Sequence, residues 1–308
     1  MCGIAGFVDK RTYIDSERRE HIVMEMLRLM KHRGGDAHGL KSKNNVSIGH
    51  TRLSILDLSS HGNQPFSDST QNRILSFNGE IYNHDKLKKK YLGDIKTDSN
   101  SDTSTLFEML RECSVESVLE KVHGMFAFSF LDFENRNIFL VLDRFAIKPL
   151  YYIDTPEYFA WASEIKAFSA LPKYKFQLND RDIGEHLVFR YVSGSKTLFK
   201  NIHRLQAGEY LTYNLLDNLI KIQKYYKLQK SNHREGFSES ILASSVEEHL
   251  MGDVVAGVQL SGGLDSSLVA LFAQKFSKER LHTFSIGLKD GKLKQKINQK
   301  IKNKIKAI

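Results

Sequence analysis

Short apolar runs alternate with polar residues along the first three quarters of the chain, a pattern that predicts β-strands with interspersed helices. Apolar residues at helical spacing predict helices over residues 16–31, 103–121 and 180–189. The predicted strands are rich in β-branched and aromatic residues: 4–8, 46–52, 73–77, 125–132, 137–143, 159–162, 209–214 and 220–226. Short strands grouped with helices favour stacked layers of largely antiparallel sheet.

The pattern changes after a polar stretch at residues 229–236, which is the best linker candidate. Beyond it the sequence predicts a helix, a buried apolar strand, a second helix and a second strand, over residues 239–250, 254–260, 267–276 and 283–286. This order begins a parallel α/β sheet. We therefore predict one domain over 2–226, the start of another over 236–288, and an aberrant lysine-rich tail over 289–308.

The net charge of +9 resides mainly in that tail, since residues 289–308 hold eight lysines and one aspartate. The body of the protein is near neutral, so charge gives no reason to expect a nucleic-acid partner. Apolar residues four apart in the tail allow a basic amphipathic helix, and a solvated tail is a plainer interpretation. A shifted reading frame or a truncated gene is the interpretation we favour, because an α/β domain should not end after two strands.

Composition limits the class of protein. Hydrophobic residues make up 41% and charged residues 26% of 308, which is typical of globular proteins and long enough for two domains. No apolar run approaches the roughly 20 residues of a membrane helix, so no membrane partner is expected, and the first residues do not resemble a signal peptide. Two cysteines exclude a disulfide framework and a structural zinc site, which favours the cytoplasm. Cys113 falls in an apolar helical pattern and is predicted to lie in the core; His50 is predicted to be structural, and no metal site is expected.

Cys2 is the first residue that suggests chemistry. If Met1 is removed, the chain begins with a cysteine that carries both a thiol and an α-amine. Such an amine has a pKa of about 7.7–8.0 and can act as the base for its own thiol. On its own a cysteine at position 2 is a weak signal, and a small buried hydrophobe is the favoured interpretation.

Eight segments in one order make the nucleophile interpretation stronger. They are MCGIAGF at the start, HRGGDAHG at 32–39, IGHTRLSILDLSSHGNQPF at 48–66, FNGEIYN at 77–83, SDT at 101–103, GMFAF at 124–128, DRFAIKPLYY at 143–152 and ASEIKA at 162–167. The series closely resembles the class II glutamine amidotransferase domain, in the version carried by glutamine-hydrolysing asparagine synthetases. The resemblance covers about residues 2–288 and implies an α+β N-terminal-nucleophile αββα sandwich.

The resemblance implies that Cys2 attacks the side-chain amide of glutamine, forms a γ-glutamyl thioester and releases ammonia. Asn78 and Gly79 would form the oxyanion hole. Arg52 would bind the α-carboxylate, and Glu80 and Asp102 the α-ammonium. Four residues complete the glutamine site implied by the resemblance: Leu53, Ser54, Ile55 and Leu56. The plainer alternatives are a surface salt bridge for Arg52 and a helix N-cap for Asp102.

A second site is indicated by SGGLDSS at 261–267, which follows an apolar strand and opens a helix. Glycines let backbone N–H groups approach an anion at a helix N-terminus. The motif lacks the ending of a Walker A loop and instead resembles the pyrophosphate loop of ATP pyrophosphatases. That likeness implies ATP with Mg²⁺, and Asp265 as an indirect ligand of the metal. The ATP-binding residues implied are Leu260, Ser261, Gly262, Gly263, Asp265, Ser266 and Ile286.

Three functions follow from these observations. The first is glutamine-dependent synthesis of asparagine, with glutamine, aspartate and ATP as substrates and ammonia passed between two sites. The second is a stand-alone glutaminase with an inactive synthetase part, since the downstream residues that the family uses for aspartate and ATP are missing. The third is a silent fragment that acts only by association, and a homodimer stays open. Ala146 replaces a family glycine, and we expect strain there if that position has positive φ.

Overall fold

A computed structural model describes residues 1–93, 95, 99–228 and 238–286 of the chain. The chain divides into two compact units, residues 1–229 and 230–308. The predicted linker at 229–236 and the tail at 289–308 lie outside the described residues. In the described ranges, none of the helices has both the length and the apolar character that a bilayer crossing requires.

The first unit is built mainly from strands. They are β1 (Gly3–Asp9), β2 (Ala37–Lys43), β3 (Val46–Arg52), β4 (Phe66–Ser67), β5 (Arg73–Ile81), β6 (Gly124–Asp132), β7 (Asn137–Leu142), β8 (Tyr151–Asp154), β9 (Tyr158–Ala162), β10 (Ile202–Arg204), β11 (Glu209–Asn214) and β12 (Ile220–Lys224). They form two antiparallel six-stranded sheets, in the orders β10-β8-β9-β1-β3-β2 and β12-β11-β7-β6-β5-β4. The strand predictions differ from these bounds by a few residues, and β2, β4, β8 and β10 were not predicted as strands.

Helices cover the outer faces of both sheets. They are α1 (Ser16–Leu29), α2 (His84–Leu87), α3 (Asp102–Glu112), α4 (Val115–Lys121) and α5 (Asp180–Phe189), with 3₁₀ turns at Lys31–Arg33, Ser60–Gly62 and Ile165–Ala170 and a wider turn at Lys88–Leu92. The predicted helix over 103–121 is wrong as a single element. Ser114 accepts a hydrogen bond from the Ser117 amide and starts α4, so the chain bends at Cys113. Cys113 is exposed in this bend, and its predicted place in the core is wrong.

Three apolar layers hold this unit together. One lies between the sheets and includes Ile48 and Trp161, one joins α1 to the first sheet, and one joins α3 and α4 to the second sheet. The order helix, sheet, sheet, helix confirms the predicted αββα sandwich. Along β5, Ile74 packs in the inner layer and Phe77 in the outer layer, so alternation directs Asn78 to the space between the sheets.

The second unit contains α6 (Glu239–His249), β13 (Gly257–Gln259), α7 (Leu264–Phe276) and β14 (His282–Phe284) in its described part. The two strands pair in parallel, as predicted for the start of an α/β sheet. A small core of Val246, Phe272 and Ala273 lies between the helices. The predicted buried strand over 254–260 is wrong in part: Val254 and Val255 are exposed, because the strand has three residues and one described neighbour.

Candidate functional site

Cys2 lies directly before β1, a strand of the first sheet. Pairing of Gly3 with Thr51 brings it beside Leu53, whose amide lies 3.4 Å and whose carbonyl oxygen lies 3.6 Å from the Cys2 Sγ. Burial raises the pKa of the Cys2 thiol, and the Leu53 amide opposes that shift. A base is therefore needed to form the thiolate at neutral pH.

Arg33 and Glu164 fix the backbone of Cys2. The Arg33 Nε donates to the Cys2 carbonyl at 2.8 Å, and its Nη1 lies 3.0 Å from the Glu164 carboxylate. The same carboxylate lies 2.7 Å from His32 Nε2 and 3.2 Å from Lys166 Nζ. Burial opposes the ionised form of Glu164, but the hydrogen bonds from Arg33, His32 and Lys166 outweigh it and lower the pKa of this carboxyl. The sequence motifs contain both Arg33 and Glu164, but their contact could not be predicted because 131 positions separate them in the chain.

Asn78 supplies an unused hydrogen-bond donor. Its side chain is 1% exposed, and within the described residues its Nδ2 has no hydrogen-bond partner. A pocket lined by Cys2, Asn78 and Gly79 includes this amide. A buried donor without a partner is costly, so the geometry favours a ligand oxygen at that position. A Cβ at Gly79 would collide with the Met125 carbonyl and the Phe126 Cα, so the glycine is required by packing against β6.

The strand segment beside Asn78 is held by two side chains. The Phe77 amide donates to Gln64 Oε1 at 2.7 Å, and the Phe77 carbonyl accepts from His50 Nε2 at 3.0 Å. Complete burial lowers the pKa of His50 to about 3, so the ring is neutral. Because His50 is on β3 and Phe77 on β5, this bond links the two sheets behind the pocket. The structural role predicted for His50 agrees with this position.

Asp102 and Glu80 form the acidic wall of the pocket. Asp102 Oδ2 accepts from the Ile81 amide at 2.8 Å and Oδ1 from the Thr103 amide at 2.7 Å. Burial is the main cause that raises the pKa of Asp102 to about 7, and the Glu80 charge adds to it. The N-cap of α3 is Ser101, which accepts from the Ser104 amide, so the alternative reading of Asp102 as an N-cap is wrong.

Arg52 is 5% exposed and holds the loop that follows it. Its Nη1 donates to the Ser59 carbonyl and to Asn63 Oδ1, both at 2.8 Å, and its Nη2 donates to the carbonyls of Leu56, at 3.3 Å, and Asp57. The alternative of a surface salt bridge is therefore wrong. Both terminal nitrogens have protein partners, so a ligand carboxylate must use Nε or exchange with the loop.

The loop after Arg52 forms part of the pocket wall. Leu53, Ile55 and Leu56 line the pocket, whereas the Ser54 amide donates to Asp36 Oδ2 at 2.7 Å.

Lys148 is a pocket residue that the sequence analysis did not assign. It lines the same pocket and is 8% exposed. Burial lowers the pKa of its ammonium, and attraction to Glu80 opposes that shift. The turn that carries it is fixed by Asp143, whose carboxylate accepts from the amides of Phe145 and Ile147 at 2.8 and 2.9 Å. Ala146 in this turn has φ +52°, so the strain expected there is present. The sequence could have indicated Lys148 as a site residue, since it belongs to one of the eight segments.

The glycine-rich loop lies in the second unit, between β13 and α7. Gly262 has φ +87°, and Gly263 is the N-cap of α7 without a side-chain capping bond. Ser261 Oγ and Ser266 Oγ lie 3.0 Å apart across the loop. The structure thus opens α7 at Leu264, three residues earlier than predicted. The free helix N-terminus and the left-handed glycine fit a phosphate group.

The remaining predicted residues of this loop differ in exposure. Leu260 is 3% exposed and its amide donates to the Phe284 carbonyl at 2.8 Å, whereas Ile286 is 99% exposed and Asp265 is exposed. In the described ranges, no group of three or more His, Cys, Asp or Glu side chains could hold a metal ion.

Two family models match separate stretches of the chain. A family model described as a glutamine amidotransferase domain matches residues 1–226, and one described as asparagine synthase matches residues 238–305. The glutamine-hydrolyzing asparagine synthetase 2 of Bacillus subtilis (strain 168) is 34% identical, over 93% of this chain and 40% of its own length. The glutamine-hydrolyzing asparagine synthetase B of Escherichia coli (strain K12) is 30% identical, over 94% of this chain and 50% of its own length. The chain thus spans about half, or less, of these relatives.

A solved structure shares the fold. It is the glutamine phosphoribosylpyrophosphate amidotransferase of B. subtilis complexed with ADP and GMP, which is 17% identical to this chain. The TM-score is 0.54, and the match covers 97% of this chain and 70% of that chain.

Proposed function

The chain belongs to the glutamine amidotransferase family, and from that premise we propose that it hydrolyses glutamine at Cys2 to supply ammonia for the ATP-dependent amidation of aspartate to asparagine. The observation that carries the first half is the buried Asn78 Nδ2, a donor without a partner among the described residues, in the pocket that contains Cys2. The second half is supported by the glycine-rich loop that opens α7 and by the two relatives.

Removal of Met1 is the first step in this proposal. Met1 lines the pocket, and burial lowers the pKa of its α-amine. When Met1 is removed, the backbone nitrogen of Cys2 becomes the α-amine, and this amine takes the proton of the Cys2 thiol. The thiolate attacks the glutamine side-chain carbonyl, and the proton then passes to the leaving ammonia. Water hydrolyses the resulting thioester to give glutamate and the free thiol.

Asn78 and Gly79 stabilise the oxyanion of each tetrahedral intermediate. A donor that is already oriented costs no reorganisation during the reaction, which is why removal of one such donor typically slows catalysis about 10²–10³-fold. The Arg33–Glu164 pair holds the backbone of Cys2 and therefore sets the direction of attack.

The two charged ends of glutamine are bound by different side chains that line the pocket. Glu80 and Asp102 bind the α-ammonium, and Arg52 binds the α-carboxylate together with the segment Leu53, Ser54, Ile55 and Leu56. Because both terminal nitrogens of Arg52 contact the loop, the carboxylate binds either to Nε or to terminal nitrogens released by a shift of this loop. Truncation of Arg52 therefore raises the KM for glutamine and also loosens the loop.

ATP would bind at Ser261, Gly262, Gly263, Asp265 and Ser266, with Leu260 and Ile286 on the flanking segments toward the adenine and ribose. Mg²⁺ bound with the phosphates would be held indirectly by Asp265 and would neutralise phosphate charge. The backbone donors at the start of α7 fit the phosphates. We place the protein in the cytoplasm and regard a homodimer as the assembly to test.

A stand-alone glutaminase is the second candidate function. It is favoured by the contrast between the buried polar groups of the first site and the exposed loop residues at the second. A silent chain that acts only by association is the third candidate.

A paired assay on purified, untagged chain tests these functions. Glutamate release from glutamine is measured beside pyrophosphate release from MgATP, aspartate and ammonia. Release of both products supports the full proposal, and release of glutamate alone supports a stand-alone glutaminase. The absence of both products supports a chain that acts only by association. Cys2→Ala should abolish glutamate release, whereas Cys113→Ala, a matched change at an exposed cysteine, should leave it unchanged. Glutamate release by Cys2→Ala near the wild-type rate contradicts the nucleophile assignment.

A further inference from the structure

A second and larger cavity lies in the first unit, at the opposite end of β1 from Cys2. It is lined by the end of β1 at Asp9, the following loop, the start of α1 and the segments near Lys173 and Lys200. Its volume is about 690 Å³, whereas ligand pockets occupy roughly 300–1,000 Å³. Seven residues of extended strand separate the two ends of β1, or roughly 20 Å. This cavity therefore does not belong to the glutamine site.

The carboxylates of the cavity already have partners in the protein. Asp9 accepts from the amides of Arg11 and Ile14 at 3.1 and 2.7 Å. Asp15 accepts from the Arg18 amide at 2.8 Å and starts α1. Glu157 lies 3.3 Å from the Arg11 guanidinium. The acidic groups thus serve the local fold, and one of the basic groups is paired with them.

Four other basic side chains line the cavity and, within the described parts of the chain, have no ion-pair partner: Arg18, Lys173, Lys175 and Lys200. They lie on α1 and on two loops that meet at this end of the sheet. Cations from separate segments that converge on one concavity raise the local concentration of an anion. The cavity as a whole has an excess of positive charge.

Aromatic rings supply the apolar part of the lining. Tyr174 packs edge-on against Phe176 at 5.1 Å between ring centroids, and Tyr158 is 6% exposed. The Tyr174 hydroxyl is buried and has no hydrogen-bond partner among the described residues. Burial also raises the pKa of Tyr174, so the hydroxyl keeps its proton at neutral pH. A ligand oxygen would satisfy this donor.

We propose that this cavity binds a small organic phosphate, a phosphate monoester of a planar ring. The unpaired cations match a phosphate that carries two charges near neutral pH, and the tyrosines match the ring. Charge-assisted hydrogen bonds to lysine and arginine hold the phosphate, and the Tyr174 hydroxyl donates to a ligand oxygen.

Isothermal titration of the full chain with phenyl phosphate tests this proposal, because the probe has the ring and the phosphate but no adenine. We expect one site, binding that weakens as salt is raised, and much weaker binding of inorganic phosphate and of phenol. The triple variant Lys173→Gln, Lys175→Gln, Lys200→Gln should lose about tenfold or more in affinity. Tyr174→Phe should lose about three- to tenfold, the value of one hydrogen bond.

The matched control is the triple variant Lys221→Gln, Lys224→Gln, Lys227→Gln, which removes the same charge from exposed positions on and after β12. It should bind phenyl phosphate as the wild type does. Equal loss in both triple variants, equal affinity for inorganic phosphate, or no heat with phenyl phosphate would each overturn the proposal. None of these results depends on glutamine hydrolysis, so the site and the proposed function are tested separately.

Discussion

The two candidate sites are built in opposite ways. The glutamine pocket gathers residues from the start of β1, the end of β3, the middle of β5 and the start of α3, and its central groups are buried: Asn78, Asp102 and Arg52 are 1%, 4% and 5% exposed. The loop of the second unit is one contiguous segment, and Ser261 to Asp265 are exposed. Burial strengthens the interactions between charges in the first site. The second site would bind an anion through the backbone N–H groups of one loop.

This contrast has consequences for mutation. In a buried pocket, removal of one polar group affects catalysis or stability strongly, because the partner that it leaves cannot form a hydrogen bond with water. In an exposed loop, water replaces a lost contact within the protein, so the shape of the loop depends mainly on the conformation of its backbone. The expected effects therefore decrease from the oxyanion donor to the glycine-rich loop.

Asn78→Ala should lower kcat for glutamine hydrolysis about 10²–10³-fold and change KM little, because its amide is used mainly in the transition state. Steady-state kinetics of glutamate release measure both constants. Asn137→Ala, the same change on β7 outside the pocket, should leave them near the wild-type values. A kcat for Asn78→Ala within threefold of wild type would remove this residue from the oxyanion hole.

The pKa of Asp102, raised to about 7 by burial, predicts a pH-dependent KM. Below that pH the carboxyl becomes neutral and attracts the α-ammonium less, so KM for glutamine should rise by up to about tenfold per pH unit. Asp102→Asn should have a high KM that no longer varies in this range. Asp182→Asn, at a buried aspartate on α5, should keep the wild-type profile. A flat wild-type profile between pH 6 and 8 would contradict the role of Asp102.

His50→Leu should lower the free energy of unfolding by about 1–3 kcal/mol, because the buried Phe77 carbonyl loses its donor. His50→Gln can keep a donor and should recover most of the loss. The depressed pKa of His50 gives a second signature: its stabilisation is present above the unfolded pKa of 6.5 and is lost as the pH falls. At pH 5 the wild type should thus lose about 2 kcal/mol that His50→Gln does not lose.

Urea unfolding at pH 7 and pH 5 measures both effects. His38→Gln, an exposed histidine on β2, serves as the control and should follow the wild type. If His50→Gln and wild type lose the same stability between the two pH values, His50 is not buried as a neutral ring.

Local patterns were sufficient to predict much of the fold. Short segments rich in β-branched and aromatic residues located β3 and β11, and helical spacing located α5, each with its observed bounds. The break at Cys113 was missed because a serine is compatible with a helix interior as well as with an N-cap. The length of the strand before the glycine-rich loop was overestimated, since an apolar run does not reveal how many neighbours a strand has.

The candidate sites were predictable to different degrees. The contiguous loop at 261–266 could be recognised as one motif, and Cys2 and Asn78 belong to short segments with the order of a known family. The contact between Arg33 and Glu164 could not be found in this way, because it depends on the pairing of β1 with β9. The loop contacts of Arg52 were missed for the same reason, as they depend on how residues 56–63 fold back.

Two matched variants test the glycine-rich loop of the second unit: Gly262→Ala and Gly263→Ala. Gly262 has φ +87°, where an L-residue costs about 1–2 kcal/mol, whereas Gly263 has φ −78° and a Cβ there would lie 3.6 Å from Ser261 Oγ, an ordinary contact. Gly262→Ala should therefore weaken MgATP binding several-fold by shifting the loop, and Gly263→Ala should weaken it less. Equilibrium dialysis with ATP measures the difference, while glutamate release should be unchanged in both. A larger loss in Gly263→Ala would show that direct access to the backbone, and not the left-handed turn, governs the loop.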